Sequence, residues 1–140
     1  MIRQKSGEIS LNTRGRGLND VTGSIHEWLD DTGLSEGVLT VFIQHSSASL
    51  IIQENADPDV QLDLQDFYAS LVPDNPSLYR HTAEGVDDMP SHIRSTLTDV
   101  SLTIPVVGKC MRLGTWQGVY VFEHRTSPHH RTLALNFMGE

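Results

Sequence analysis

Between Val100 and Gly139 the chain carries four short strand-like stretches, VSLTIPVV, KCMRLG, GVYVFEHR and RTLALNFMG, broken by Gly108, by GTWQG and by TSPHH. Alternation with a period of two sends successive side chains to opposite faces of a sheet. The breaks are too short for a helical crossover, so they impose antiparallel neighbours. A sheet of this kind has one apolar face, and the rest of the chain must cover it.

The upstream segments supply that cover. EISLNTRG alternates Ile9 and Leu11 with polar residues, as a half-buried strand does. Leu18, Val21, Ile25, Trp28 and Leu29 are spaced as one helical face, and Gly33 is placed to stop the helix. GVLTVFIQH reads as a strand, with SASLIIQE as its continuation or its hairpin partner. Asp57 before Pro58 is a helix start, because the carboxylate can accept from exposed N–H groups and proline fits the first helical position. Val60, Leu64, Phe67, Tyr68 and Leu71 then form the expected buried stripe of a second helix. Met89, Ile93 and Leu97 suit a short third helix that begins near Pro90. The expectation is a single α+β domain over residues 1–140: a mainly antiparallel β-sheet sandwich with a few helices packed on it.

Composition narrows the function. A net charge of −8 with scattered basic residues disfavours a nucleic-acid coat. No run is apolar and long enough to span a bilayer, and MIRQKSGEISLNTRG lacks the apolar core of a signal peptide. The single cysteine, Cys110, cannot form an internal disulfide. Together these predict a cytoplasmic protein that binds neither membrane nor nucleic acid.

The chemistry concentrates in EGVDDMPSHIR, Glu84 to Arg94, with three carboxylates and a histidine where a helix begins. A helix N-terminus favours one nearby aspartate, and that accounts for Asp87 or Asp88. It does not account for Glu84, His81 and His92 beside them. Among the other histidines, His129 and His130 fall in an expected hairpin turn and His26 flanks the first helix's stripe, so all three read as surface residues. His45 and His124 end strands. Imidazole and carboxylate are ligands for zinc-like ions, and carboxylate alone suits magnesium; no HExxH or CxxC spacing decides between a metal site and ordinary hydrogen-bonding histidines. Ser46, Ser47 and Ser49 can donate to phosphate oxygens, with Asn55 and Asp57 orienting them or a cation. No GxSxG turn surrounds any serine, which ranks a hydrolase lowest. GTWQG presents an indole between two glycines, a stacking platform for a flat ring or a core residue.

The strings QHSSASLIIQENADPDV, EGVDDMPSHIRSTLTDVSLTIPV and LGTWQGVYVFEHR, with the closing GE, resemble the YjbQ family, known as secondary thiamine-phosphate synthases. The resemblance covers nearly the whole chain and is weakest over the first helix. Ser46 stands where the family commonly has threonine. The resemblance implies a single α+β domain that assembles as a homotrimer, with histidine-rich polar sites able to hold a divalent metal ion. It also implies thiamine-phosphate synthesis from small phosphorylated heterocyclic substrates: hydroxymethylpyrimidine diphosphate and a thiazole phosphate join, and pyrophosphate leaves.

In that chemistry the barrier falls mainly through charge stabilisation on the leaving pyrophosphate. The metal would be a zinc-like ion at histidines, or magnesium arriving with the diphosphate. His81, His92 and His124 are the expected ligands, and His45 could exchange roles with any of them. His45, Glu84 and Asp88 are the expected catalytic groups. Ser46, Ser47, Ser49, Asn55, Arg94, Thr115, Trp116, Gln117 and Arg125 are the expected substrate contacts, with Trp116 stacking on the pyrimidine. The competing hypothesis is a non-catalytic trimer that binds a metal or a phosphorylated metabolite.

Overall fold

The computed structural model describes residues 1–140. Strands β1 (Arg3–Asn12), β8 (His130–Gly139), β3 (Gly37–Ile43), β5 (Ser101–Val107) and β6 (Cys110–Met111) make a five-stranded sheet in that order. Strands β2 (Gly17–Asp20), β7 (Gln117–Glu123) and β4 (Ala48–Glu54) make a three-stranded one. Every pairing is antiparallel. Inward residues of the large sheet, among them Leu39, Val41, Ile104, Leu133, Leu135 and Phe137, pack against Ala48, Leu50, Val119 and Val121 of the small one. Helix α1 (Thr22–Thr32) adds Ile25 and Leu29 to this core. The fold is the expected α+β sandwich, and no helix is long and apolar enough to cross a membrane.

Local signals explain most elements. Gly33 ends α1 at φ +72°, with its N–H bonded to the Asp30 carbonyl, in the left-handed region that glycine enters without steric cost. Asp57 caps α2 (Pro58–Leu71) by accepting from the Asp59 N–H at 2.9 Å. Gly108 and Lys109, both with φ near +60°, form the tight turn between β5 and β6.

Four expectations change. Leu18 lies in β2, paired with Phe122, because the helix starts only at Thr22. β4 is neither a continuation nor a hairpin partner of β3; the chain crosses to the other sheet at residues 44–47. Residues 124–129 likewise cross between sheets and form no hairpin, since β7 and β8 belong to different sheets. Helix α2 has no fully buried residue, with Phe67 57% and Leu71 53% exposed; Tyr68 makes its contact, edge-on to Phe122.

A third crossing, residues 13–16, links β1 to β2. Because Asn12 pairs with His130, Ile43 with Leu133, and both Gly17 and Ala48 with Glu123, all three crossings sit at one end of the sandwich. Strands that change sheets break their ladders there, so polar side chains or solvent must satisfy the freed backbone groups. That end carries most of the chemistry-bearing residues.

Candidate functional site

Helix α3 (Asp88–Leu97) buries a polar face. Asp88, Ser91, Arg94 and Ser95 point inward, while Leu97 is exposed. The expected apolar stripe does not anchor this helix; hydrogen bonds do. Ser91 Oγ donates to the His124 carbonyl at 2.7 Å and Ser95 Oγ to the Ala48 carbonyl at 3.3 Å. The helix therefore lies across the crossing end of the small sheet, with its N-terminus beside Arg125 and Thr126.

Asp87 occupies the N-cap position, yet makes no side-chain cap bond. Its Oδ2 instead accepts from Arg125 Nε at 2.9 Å, from the Thr126 N–H at 2.9 Å and from Thr126 Oγ1 at 3.2 Å. Burial opposes ionisation, but Arg125 and the Thr126 N–H outweigh it and hold the Asp87 carboxyl at about 2. Arg125 also donates to Asp88 Oδ1 at 2.7 Å and to the Glu84 carbonyl at 3.0 Å. Asp87, in turn, raises the Arg125 pKa.

With Oδ1 held by Arg125, Asp88 turns Oδ2 toward two imidazoles. His81 Nε2 lies 2.5 Å away and His92 Nε2 3.1 Å away. Burial resists the Asp88 charge, and the hydrogen bond from His81 with the nearby positive groups lowers its pKa regardless. One ligand atom from each of His81, Asp88 and His92 lies within 4.8 Å of the others. Ligands of a tetrahedral zinc-like ion are about 3.3 Å apart, so small side-chain motions would bring these three atoms to that spacing. His92 Nδ1 donates to the Ser46 carbonyl at 2.9 Å, so Nε2, 3.1 Å from Asp88 Oδ2, is the nitrogen that would face an ion once it gives up its proton. An ion held by these three residues would keep an open position, as catalytic rather than structural zinc sites do. Glu84, 3.7 Å from His81 Nε2, stands at the rim as an exposed carboxylate.

His92 also lines a cleft of about 320 Å³ with His45, Ser46, Ser95, Thr96 and Val100. His45 Nε2 accepts from the Thr132 N–H at 2.9 Å, and its Nδ1 faces Arg131 Nη1 at 3.4 Å. Burial, then the charge of Arg131, lowers the His45 pKa.

The other expected site residues are elsewhere. His124 does not join His81 and His92: it is fully buried under α3, with Nε2 2.8 Å from Ser49 Oγ and Nδ1 without a partner. Burial and the charge of Arg94 push its pKa down to about 3. Ser49 is buried in that contact and cannot face a substrate. Ser47 is buried against Arg131. Arg94, 1% exposed, donates to the Tyr68 and Val72 carbonyls at the C-terminus of α2 rather than to solvent or ligand. Arg125 has three of its donors committed to the acidic loop.

Asn55, Thr115, Trp116 and Gln117 lie at the opposite end of the small sheet. Asn55 bonds the Trp116 and Gln117 carbonyls across that turn. Seven positions separate Gln117 from His124, about 23 Å of strand at ~3.3 Å per residue. Trp116, 62% exposed, therefore cannot stack on a small ligand held at the His81–Asp88–His92 cluster of the same chain.

Sequence reasoning missed the group that ties the crossings together. Glu123, fully buried, accepts from Thr13 Oγ1, from Arg131 Nε and Nη2 and from the N–H groups of His124 and Arg125. Burial resists its charge and Arg131 overrides it, so its pKa is lowered. Glu123 and Arg131 follow the inward registers of Val119, Val121 and of Leu133, Leu135, and this placement of charge was the available signal.

The family model for UPF0047 proteins of the YjbQ-like type matches residues 7–140. The chain belongs to this family. A UPF0047 protein of Synechocystis is 49% identical over 139 residues, covering 99% of this chain and 95% of the relative. The UPF0047 protein YjbQ of Escherichia coli O157:H7 is 41% identical, covering 94% and 96%. A hypothetical protein of Aeropyrum pernix K1, solved by crystallography, superposes with a TM-score of 0.86 at 33% identity over 97% and 99% of the two chains. A YjbQ-like fold of unknown function from Sulfolobus solfataricus reaches 0.89 at 19% identity over the full length of both, a likeness of fold alone.

Within this YjbQ-like fold the buried His124 makes stability sensitive to acid. Its pKa is about 3 folded against 6.5 unfolded, so protonation favours the unfolded chain. The penalty is absent above pH 6.5 and grows by about 1.4 kcal/mol per pH unit below it, with His45 adding in the same direction. Thermal melts are expected to fall steadily from pH 6.5 to 4.5, and His124→Asn is expected to flatten that slope. An unchanged slope in the variant would show that His124 is not the titrating group.

Proposed function

We propose that the protein is a metal-dependent transferase of the thiamine-phosphate synthase type, which joins hydroxymethylpyrimidine diphosphate to a thiazole phosphate. The observation that supports it most is the open His81–Asp88–His92 cluster beside a cleft, with its carboxylate oriented by Arg125 and one imidazole by Ser46. Two imidazoles and one carboxylate suit a zinc-like divalent ion better than an all-oxygen magnesium cage. Magnesium then enters with the diphosphate. When bound, such an ion supplies positive charge for the leaving group.

In this reading the methylene C–O bond breaks with its electron pair going to pyrophosphate, and the thiazole nitrogen lone pair forms the new C–N bond. Arg125 holds Asp88 aimed; His45 lines the cleft; Glu84 is the exposed carboxylate at the rim. The protein acts as a homotrimer. Support comes from the outer face of the large sheet, where Val38 and Phe42 lie in register with Pro105, Met138 and Ala134, with Val38, Phe42 and Met138 exposed. A second copy of the chain is the occupant proposed for that face.

Purified protein, supplied with both precursors, zinc and magnesium, is expected to release pyrophosphate in step with thiamine phosphate. Binding of the precursors without turnover would replace this reading with that of a non-catalytic metal- and phosphometabolite-binding trimer. Sedimentation of the same sample as a stable monomer at micromolar concentration would remove the trimer from either reading.

A further inference from the structure

The crossing from β1 to β2, Thr-Arg-Gly-Arg-Gly at residues 13–17, has no part in the cluster above. It encloses an open cleft of about 290 Å³ whose lining includes Asn12, Arg14, Gly15, Arg16 and Asn19. We propose that this loop is an anion subsite, taking the phosphate end of the substrate whose other end is handled at the His81–Asp88–His92 cluster. The identity of that substrate rests on the function proposed above; the anion site itself does not.

Three observations converge on a phosphate group. First, the backbone N–H groups of Arg14, Gly15 and Arg16 find no acceptor in the chain, so three consecutive donors are free at one turn. Runs of unpaired main-chain N–H groups are a recurrent way of holding phosphate oxygens. Second, the turn is bare by necessity. Gly15 has φ +138°, and a Cβ there would stand 3.0 Å from the Thr126 carbonyl, so no side chain can cover the adjoining peptide groups.

Third, the charge is uncompensated. Arg16 is neutralised by a bidentate pair with Asp74 at 2.6 and 2.7 Å and is fixed by Nε on the His124 carbonyl. Arg14, which lines the cleft, makes no ion pair. In a chain of net charge −8, this corner holds an excess of positive charge beside free N–H donors. The contact from Gly15 to Thr126, which holds Asp87, sets the loop against the base of the metal cluster. A substrate with a phosphate at one end and its reacting centre at the other spans such a pair of sites.

The probe is inorganic pyrophosphate, titrated by calorimetry into metal-free and zinc-loaded full-length protein. Metal-free wild type is expected to bind it. Arg14→Ala is expected to weaken binding at least about tenfold, the loss typical of one charge-assisted contact, with Arg14→Lys intermediate. Arg112→Ala, an exposed arginine at the other end of the large sheet, is expected to change nothing. Binding that requires zinc and ignores Arg14→Ala would overturn the proposal, as would equal losses from Arg14→Ala and Arg112→Ala. Failure of the transferase reading shows separately, as absent turnover with the metal-free titration intact.

Discussion

Asp88→Asn is expected to lower zinc affinity by at least about a hundredfold while the protein stays folded. The carboxylate is the one anionic group in the cluster, and removing it would take away most of the field available to hold a divalent ion there. The amide oxygen can still accept from Arg125 Nη1, so the link between α3 and the crossing loop survives in weaker form. Since Asp88 makes no cap bond, the loss is not the ~1 kcal/mol of a missing helix cap. Competition titration with a chromogenic chelator reads the affinity, and urea unfolding of the metal-free variant reads the stability. His92→Ala provides a second arm, because His92 is only partly buried and its removal leaves no unpaired charge inside. Zinc affinity within threefold of wild type in both variants would show that these residues are an ion-pair knot and not a metal centre.

The strands were legible because a period of two leaves a direct imprint: Leu102, Ile104 and Val106, or Leu133, Leu135 and Phe137, point inward at every second position. Gly33, Gly108 and the Asp57–Pro58 start were legible for the same kind of reason, since each demands a residue type at one position. Alternation says nothing about which sheet a strand joins. β4 carries the expected pattern, and only its pairing with β7 reveals that the chain has changed layers at His45–Ser47.

The site was legible in part. Of the expected ligands His81, His92 and His124, the first two do converge, and Asp88, expected as a catalytic group, stands between them in the place given to His124. His124 misled because a strand-end histidine is equally placed to face a cleft or to be roofed by a helix. α3 roofs it, and it does so with a polar face that no hydrophobic stripe announces. The GTWQG turn misled because sequence carries no distance along a strand to the other end of the sheet.

The largest stability effect is expected at Arg131. Its guanidinium, 4% exposed, is the charge partner of a Glu123 carboxylate with no exposure at all. Arg131→Met leaves that carboxylate buried with only Thr13 and two backbone N–H groups. Removing one partner of a buried pair typically costs about 3–5 kcal/mol, against a total stability of about 5–15 for a domain. Most of that cost is the charge left behind, and this gives the prediction its signature. With Arg131 present the Glu123 pKa is lowered, so its contribution is in place above pH 4.5 and is lost as pH falls through the folded value. Without Arg131, burial is expected to prevail and to raise the folded pKa above the unfolded one. The variant then regains stability relative to wild type as pH falls from 7 toward 5, the reverse of the usual acid response. The double variant Glu123→Leu, Arg131→Met is expected to be more stable than Arg131→Met alone, because it buries no charge. Urea unfolding at pH 7 and pH 5 measures all three proteins. A loss below about 1 kcal/mol in Arg131→Met at pH 7 would mean that the three crossings are held by their hydrogen bonds alone, with the ion pair incidental.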